Sequence, residues 1–284
     1  MNENILIQAI INGVLLAGIY ALVTAGLNIV YGVIRIVNFC HGELLGLSMY
    51  LTYWFFELYG IHPYLSIPLV CIILLLVGAL IQILVVEGAP HEAQGVLTLA
   101  LYMAMQGGML ILWTSDYRVI NLPPISINLL GVFISIHKAV ALIGVIITTI
   151  LFYFALFKTR YGMIMRAVVQ DPEAAEWLGV NTKRVRIVSF GLGALLAGLA
   201  GALLIPIYYA YPGAGLPFAL MGWVIMVLGG LGNFMGALAG SLIIGVTESV
   251  ISTLYNAQMA RAISLMIFFV VILIKPQGLA GGKR

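Results

Sequence analysis

"LSIPLVCIILLLVGALIQILVV", residues 65–86, carries no charge across 22 residues. As a helix rising 1.5 Å per residue it would cover about 33 Å, enough for a hydrocarbon core of about 30 Å. A membrane β-strand would be shorter and would alternate polar with apolar residues. This run does neither, so it reads as a spanning helix.

Working outward, comparable runs lie near 5–31, 41–59, 64–86, 95–114, 138–157, 187–206, 217–231, 234–254 and 260–275. The expectation is an all-α, polytopic helical membrane protein with about 8–10 transmembrane helices. The run at 217–231 is short and Gly-rich. It reads equally as a re-entrant or broken helix, which is tolerated only where protein buries it. Composition agrees: 63% of the 284 residues are hydrophobic, 8% are charged, and mean hydropathy is +1.13. A soluble domain holds about 25% charged residues. Residues 1–284 therefore read as a single transmembrane domain. "MNENILIQAI" lacks the basic segment of a cleaved signal peptide. Cys40 and Cys71 are isolated, which gives neither a metal spacing nor a disulfide framework. A net charge of +3 gives no sign of nucleic acid; the surrounding partner is membrane lipid.

Nine of the 23 charged residues fall between Lys158 and Arg186. Cytoplasmic loops collect Lys and Arg, so this segment is expected inside. Counting crossings then puts Arg35 and the tail with Lys275, Lys283 and Arg284 inside, and the N-terminus outside. Arg118 and Lys138 flank an outside loop, a mild dissent. That loop, 115–137, contains "NLPPISINLLGVF" and reads as ordered but not spanning.

Inside the charged segment, "QDPEAAEWLGVNTKRVR" (170–186) has the marks of a short helix. Asp171 can cap it, Pro172 suits its first position, and Glu173 and Glu176 lie near its positive end. Gly179 suits its stop. "PEAAEWL" makes about two turns, roughly 10 Å. Ala174 and Ala175 leave a smooth surface, while Trp177 and Leu178 give apolar body. Such a helix could be gripped by another protein; the same residues also describe a solvated loop whose charges only fix topology.

Ionisable groups beside apolar helices are costly unless paired or hydrated. Asn38, His41, Gly42 and Glu43 in "NFCHGE" (38–43) either cap a helix end at the inner boundary or line a pathway or its gate. Gly229, Gly230 and Gly232, followed by Asn233, allow either tight helix packing or a break that exposes backbone to a solute. Asn233-Phe234 echoes Asn38-Phe39, a faint sign of an internal repeat. Glu248 is expected to bond a neighbour or to face a wet cavity. One His and one Glu are too few for a metal site. No serine–histidine or paired-aspartate constellation occurs, so no catalytic residue is assigned.

Four stretches carry a resemblance: "GLNIVYGVIRIVNFCHGELLGLSMY" (26–50), "RAVVQDPEAAEWLGVNTKRVRIVSFGLGALLAGLAGALLIP" (166–206), "VLGGLGNFMGALAGSLIIGVTE" (227–248) and "KPQGLAG" (275–281). In this order they resemble the branched-chain amino acid permeases of ABC importers, in the shorter, high-affinity-type subunit. The likeness runs from about residue 8 to 281. "VVEGAPHEAQGV" (85–96) departs from it by lacking arginines, and the loop 115–137 is individual.

The resemblance implies a permease domain that pairs with a second homologous permease and two ABC ATPase subunits. A periplasmic or extracellular solute-binding protein would deliver branched-chain amino acids or a related small polar solute; urea and short amides remain open. Asp171, Pro172, Glu173, Ala174, Ala175, Trp177, Leu178 and Gly179 would form the ATPase-coupling helix. No G-x-x-x-x-G-K-[ST] occurs, so ATP and Mg would be bound by the partner ATPases and this chain would hold no cofactor. The location implied is the bacterial or archaeal cytoplasmic (inner) membrane. The competing expectation is an ion-coupled secondary transporter using intramembrane carboxylates such as Glu43, Glu248 or Glu57.

Overall fold

Lipid offers no partner to backbone N–H and C=O groups, so a sequence this apolar closes its hydrogen bonds within helices. The structure, a computed structural model, describes residues 3–123, 125–129 and 132–280. Lys283, Arg284 and the last residue of "KPQGLAG" lie outside them. The first half comprises α1 (Glu3–Ile34), α2 (His41–Tyr59), α3 (Pro63–Ile81) with a π-helical extension Gln82–Val86, and α4 (His91–Trp113). A hairpin of β1 (Ser126–Leu129) and β2 (Val132–Ser135) follows, so the loop after α4 is ordered by antiparallel pairing. Then come α5 (Ile136–Lys158), α6 (Arg160–Gln170), α7 (Pro172–Trp177), α8 (Thr182–Leu204), α9 (Leu216–Gly229), α10 (Phe234–Leu254) and α11 (Ala257–Ile274).

Seven of these helices are long and apolar enough to cross a membrane: α1, α3 with its extension, α4, α5, α8, α10 and α11. The run expected to cross at 217–231 is α9, with 14 residues. At about 21 Å it is too short to span. Gly215 precedes it, and Gly230 at φ +105° ends it.

α1 and α8 form the centre. α1 packs on α10, α8, α9 and α5, while α8 packs on α3, α1 and α2. Small residues set the spacing: a Cβ on Gly245 of α10 would stand 2.6 Å from the Ala17 backbone of α1. Such close approach is what helix association in lipid rewards.

The charged segment differs from the single capped helix expected of it. It holds two helices, and α8 begins already at Thr182. α6 buries Met165 and Val168, leaves Arg160 exposed and holds Arg166 half-buried, an amphipathic helix. Thr159 Oγ1 caps it by accepting from Gly162 N at 3.1 Å. Gly162 lies so close to the Ala155 and Leu156 carbonyls that a side chain there would collide.

Contacts sort the two ends of the bundle. Arg35 donates to Val169 O (3.3 Å), Arg186 pairs with Glu87 (2.7 Å), and the α9–α10 turn bonds the tail, so all share one basic end. Arg118 and Ala210 pair through their backbones at the opposite end.

Candidate functional site

Beyond Ile34 the chain turns sharply at Arg35, whose φ is +60°. It then doubles back as a non-helical stretch. Phe39 N donates to Thr98 Oγ1 (3.1 Å), and the Phe39 ring packs edge-on to Trp223 of α9 (4.9 Å). This return delivers His41 against Gly26 of α1: a Cβ on Gly26 would be 2.7 Å from His41 Cε1. Gly26 lies eight residues before Ile34, about 12 Å back along α1. α2 therefore starts deep in the bundle, and its first residues do not cap a helix end at the boundary. Cys40 occupies the cap position and no side chain caps the helix. Cys40 Sγ donates instead to Asn38 Oδ1 (3.0 Å).

From the other end, residues 205–215 fold back after α8 and deliver the start of α9 to the same place. Gly215 sits so close to Gly42 that a Cβ on it would overlap the Gly42 carbonyl. A Cβ on Gly42 would be 3.0 Å from Gly215 O. Two helix N-termini thus meet in the interior with their positive dipole ends together.

Glu43 stands in the first turn of α2 with 0% exposure, as does His41. Among the described residues neither carboxylate oxygen has a hydrogen-bond partner, and neither ring nitrogen makes a hydrogen bond of ordinary geometry, the imidazole facing the Val23 backbone. Glu43 Oε2 and Gly215 N lie 3.8 and 3.9 Å from where a Cβ on Gly46 would be. The carboxylate therefore borders the α9 start. Unpartnered polar groups at this depth are costly, and broken-helix N-termini at mid-depth are where transporters hold polar solutes.

Gly229, Gly230, Gly232 and Asn233 lie elsewhere, in the α9–α10 turn at the basic end. Their polar groups are spent on holding that turn. Asn28 Oδ1 accepts from Gly232 N (3.0 Å), Asn233 Oδ1 caps α10 at Gly236 N (2.9 Å), and Asn233 Nδ2 donates to Ala280 O (2.8 Å). Leu279 N and Ala280 N donate to Leu228 O and Gly229 O (2.8 and 3.2 Å). The two sets are thus distinct but linked through α1, where Gly26 meets His41 and Asn28 holds Gly232 N.

α7 is built as its residues dictate. Asp171 Oδ1 accepts from Ala174 N (3.0 Å), and Gly179 takes φ +85° beyond the helix. Pro172 opens the helix, Glu173 and Ala174 are exposed, and Trp177 and Leu178 are 90% and 85% exposed. Ala175 is buried at 3%, so the smooth Ala-Ala surface expected of this helix is half turned into the protein. Other residues of the segment fasten it. Thr182 Oγ1 donates to Glu176 Oε1, Asn181 caps α8 at Arg184 N (2.9 Å), and Arg186 donates twice to Glu87 (2.7 and 3.2 Å). Burial pushes the Glu87 carboxyl up, but hydrogen bonds from Arg186 and Gln82 outweigh it and hold it below its ordinary value.

Glu248 accepts from Tyr20 Oη (2.7 Å), the neighbour bond expected of it. Among the described residues no cluster of three or more His, Cys, Asp or Glu could hold a metal. Gly215, Asn28 and Tyr20 went unassigned in the sequence. Only Gly215 carried a local signal, as the glycine before Leu-Pro in "GAGLP".

A family model described as the permease component of branched-chain amino acid transport systems matches residues 9–274. The chain belongs to that permease family. Its relatives include the probable branched-chain amino acid transport permease LivH of Methanocaldococcus jannaschii, 27% identical over 94% of this chain and 90% of the relative. BraD of Pseudomonas aeruginosa, a high-affinity branched-chain amino acid transport system permease, is 26% identical over 97% and 95%. LivH of Escherichia coli K12, described in the same terms, is 26% identical over 99% and 98%. No solved structure matches. The region matched to the permease family takes in the α2–α9 junction and α7 alike.

Proposed function

We propose that this chain is the membrane-spanning permease subunit of an ATP-binding cassette importer for branched-chain amino acids or a related small polar solute. One observation carries the coupling role: α7 leaves Trp177 and Leu178 almost fully exposed, outside the spanning helices, at the basic end. Large apolar side chains in water mark a surface that a partner covers. In this reading 158–186 faces the cytosol, and two ATPase subunits grip α7 and bind the ATP and Mg. A second, similar permease completes the membrane part, and a periplasmic or extracellular binding protein supplies solute. The chain acts as one permease domain in the cytoplasmic membrane of a bacterium or archaeon and binds no cofactor.

The path runs past the α2–α9 junction. Glu43 offers a carboxyl with no hydrogen-bond partner among the described residues, with the His41 imidazole beside it, and a passing ammonium or carboxylate would meet them. ATP-driven closure of the motor moves α7, and the shift reaches the junction through α8 and α1. The same unpaired carboxylate keeps an ion-coupled carrier as the second reading. Uptake measured in cells with ATP depleted and the ion gradient held separates the two. Uptake should stop; uptake that persists favours the carrier. A solute screen on the accompanying binding protein tests branched-chain amino acids against urea and short amides.

A further inference from the structure

At the basic end, α5 and α10 flank α1 on either side, and their rings touch at Phe152 and Phe234 (5.7 Å). Below that contact a cavity of about 930 Å³ lies over the last turns of α1. Its lining combines the polar Asn28, Arg35 and Arg166 with the apolar Phe157, Leu231 and Met235. No aspartate or glutamate is among its described lining.

Both arginines are held in place without being neutralised. Arg35 Nη2 donates to Val169 O (3.3 Å) and Arg166 Nη1 to Leu156 O, while Arg166 also lies over the Phe157 ring at 5.2 Å. A guanidinium has five N–H donors, so most of each fork is unspent. Among the described residues the ion pairs are Arg118–Asp116 and Arg186–Glu87, and neither cavity arginine joins them. The apolar part of the lining is open: Leu231 and Met235 are each 49% exposed and Phe157 40%.

Two unpaired cations beside an exposed apolar wall, where a helix bundle leaves the bilayer, match the two halves of one kind of molecule. We infer that this groove binds an anionic phospholipid. Its phosphate sits against Arg35 and Arg166, and an acyl chain runs along Phe157, Leu231 and Met235. A free phosphate would satisfy the arginines and make no use of the apolar lining. Because Arg166 is on α6, the bound lipid would tie the helix preceding α7 to α1. The inference needs only that the chain sits in a bilayer and is independent of what it transports.

The test is titration of the purified full chain with phosphatidylglycerol and with phosphatidylcholine of the same acyl length, read by native mass spectrometry. Phosphatidylglycerol should bind preferentially. Arg35→Gln with Arg166→Gln should weaken it by roughly 25-fold, about fivefold per arginine, and the paired Lys variants should keep most of the preference. Met235→Trp, which fills the apolar side with both charges intact, should weaken phosphatidylglycerol binding as well, and it decides the matter if the arginine variants fail to insert. Equal binding of the two lipids, or undiminished preference in the Gln and Trp variants, overturns the inference. So does full displacement of the lipid by inorganic phosphate or glycerol 3-phosphate, which makes this a free-anion site. Loss of the lipid when the chain assembles with its partner subunits also overturns it, because the groove is then a protein interface.

Discussion

A methyl group on Gly215 would overlap the Gly42 carbonyl, so Gly215→Ala must separate the two helix starts. The expected cost is about 3 kcal/mol, read as a lowered midpoint of thermal unfolding in detergent. Glu43→Gln keeps the shape and removes the ionisable carboxyl. It should leave insertion intact and reduce uptake about tenfold or more, the worth of a charge-assisted hydrogen bond. At Glu87 the carboxyl is held below its ordinary value, so its bond to Arg186 stabilises the fold above the unfolded-state value. That contribution is lost as pH falls through the depressed value. Unfolding followed across acidic pH should show this loss, and Glu87→Gln should flatten it. At this scale the legible residues were the local ones. Asp171 and Gly179 act on neighbours in sequence, so residue type sufficed. Gly215 and Asn28 act on partners far along the chain, which no short window contains.

Hydropathy located the spanning helices because length and apolarity are all that lipid demands of them. It gave 41–59 as a further crossing, but α2 is not among the seven helices long and apolar enough to span, and its depth is set by the re-entrant turn at Arg35 and the packing of His41 on Gly26. It missed α6, whose arginines read as loop while its buried Met165 and Val168 follow a helical period. α7 makes a sharp contrast available. Asp171→Ala removes a cap and should cost about 1 kcal/mol. Ala175→Glu pushes a charge into the bundle and should lower the unfolding midpoint far more than Ala174→Glu, because only the first position is buried.

Across the whole molecule, α1 and α8 form a centre on which two incomplete helices, α2 and α9, are hung from opposite ends. They meet backbone to backbone at Gly42 and Gly215, so a small rocking of one side against the other changes that contact first. The tail bonds the end of α9, which fixes that element at the same basic end that carries α7. In the proposed mechanism, coupling between motor and path is a matter of shared rigid helices. The claim that binds these parts is that α7 receives work from an ATPase. The direct measurement is ATP-driven solute uptake by the assembled transporter carrying Trp177→Ala and Leu178→Ala. Uptake should be lost while the chain still inserts and folds, since both side chains lie outside the core; uptake at the unaltered rate would contradict the account.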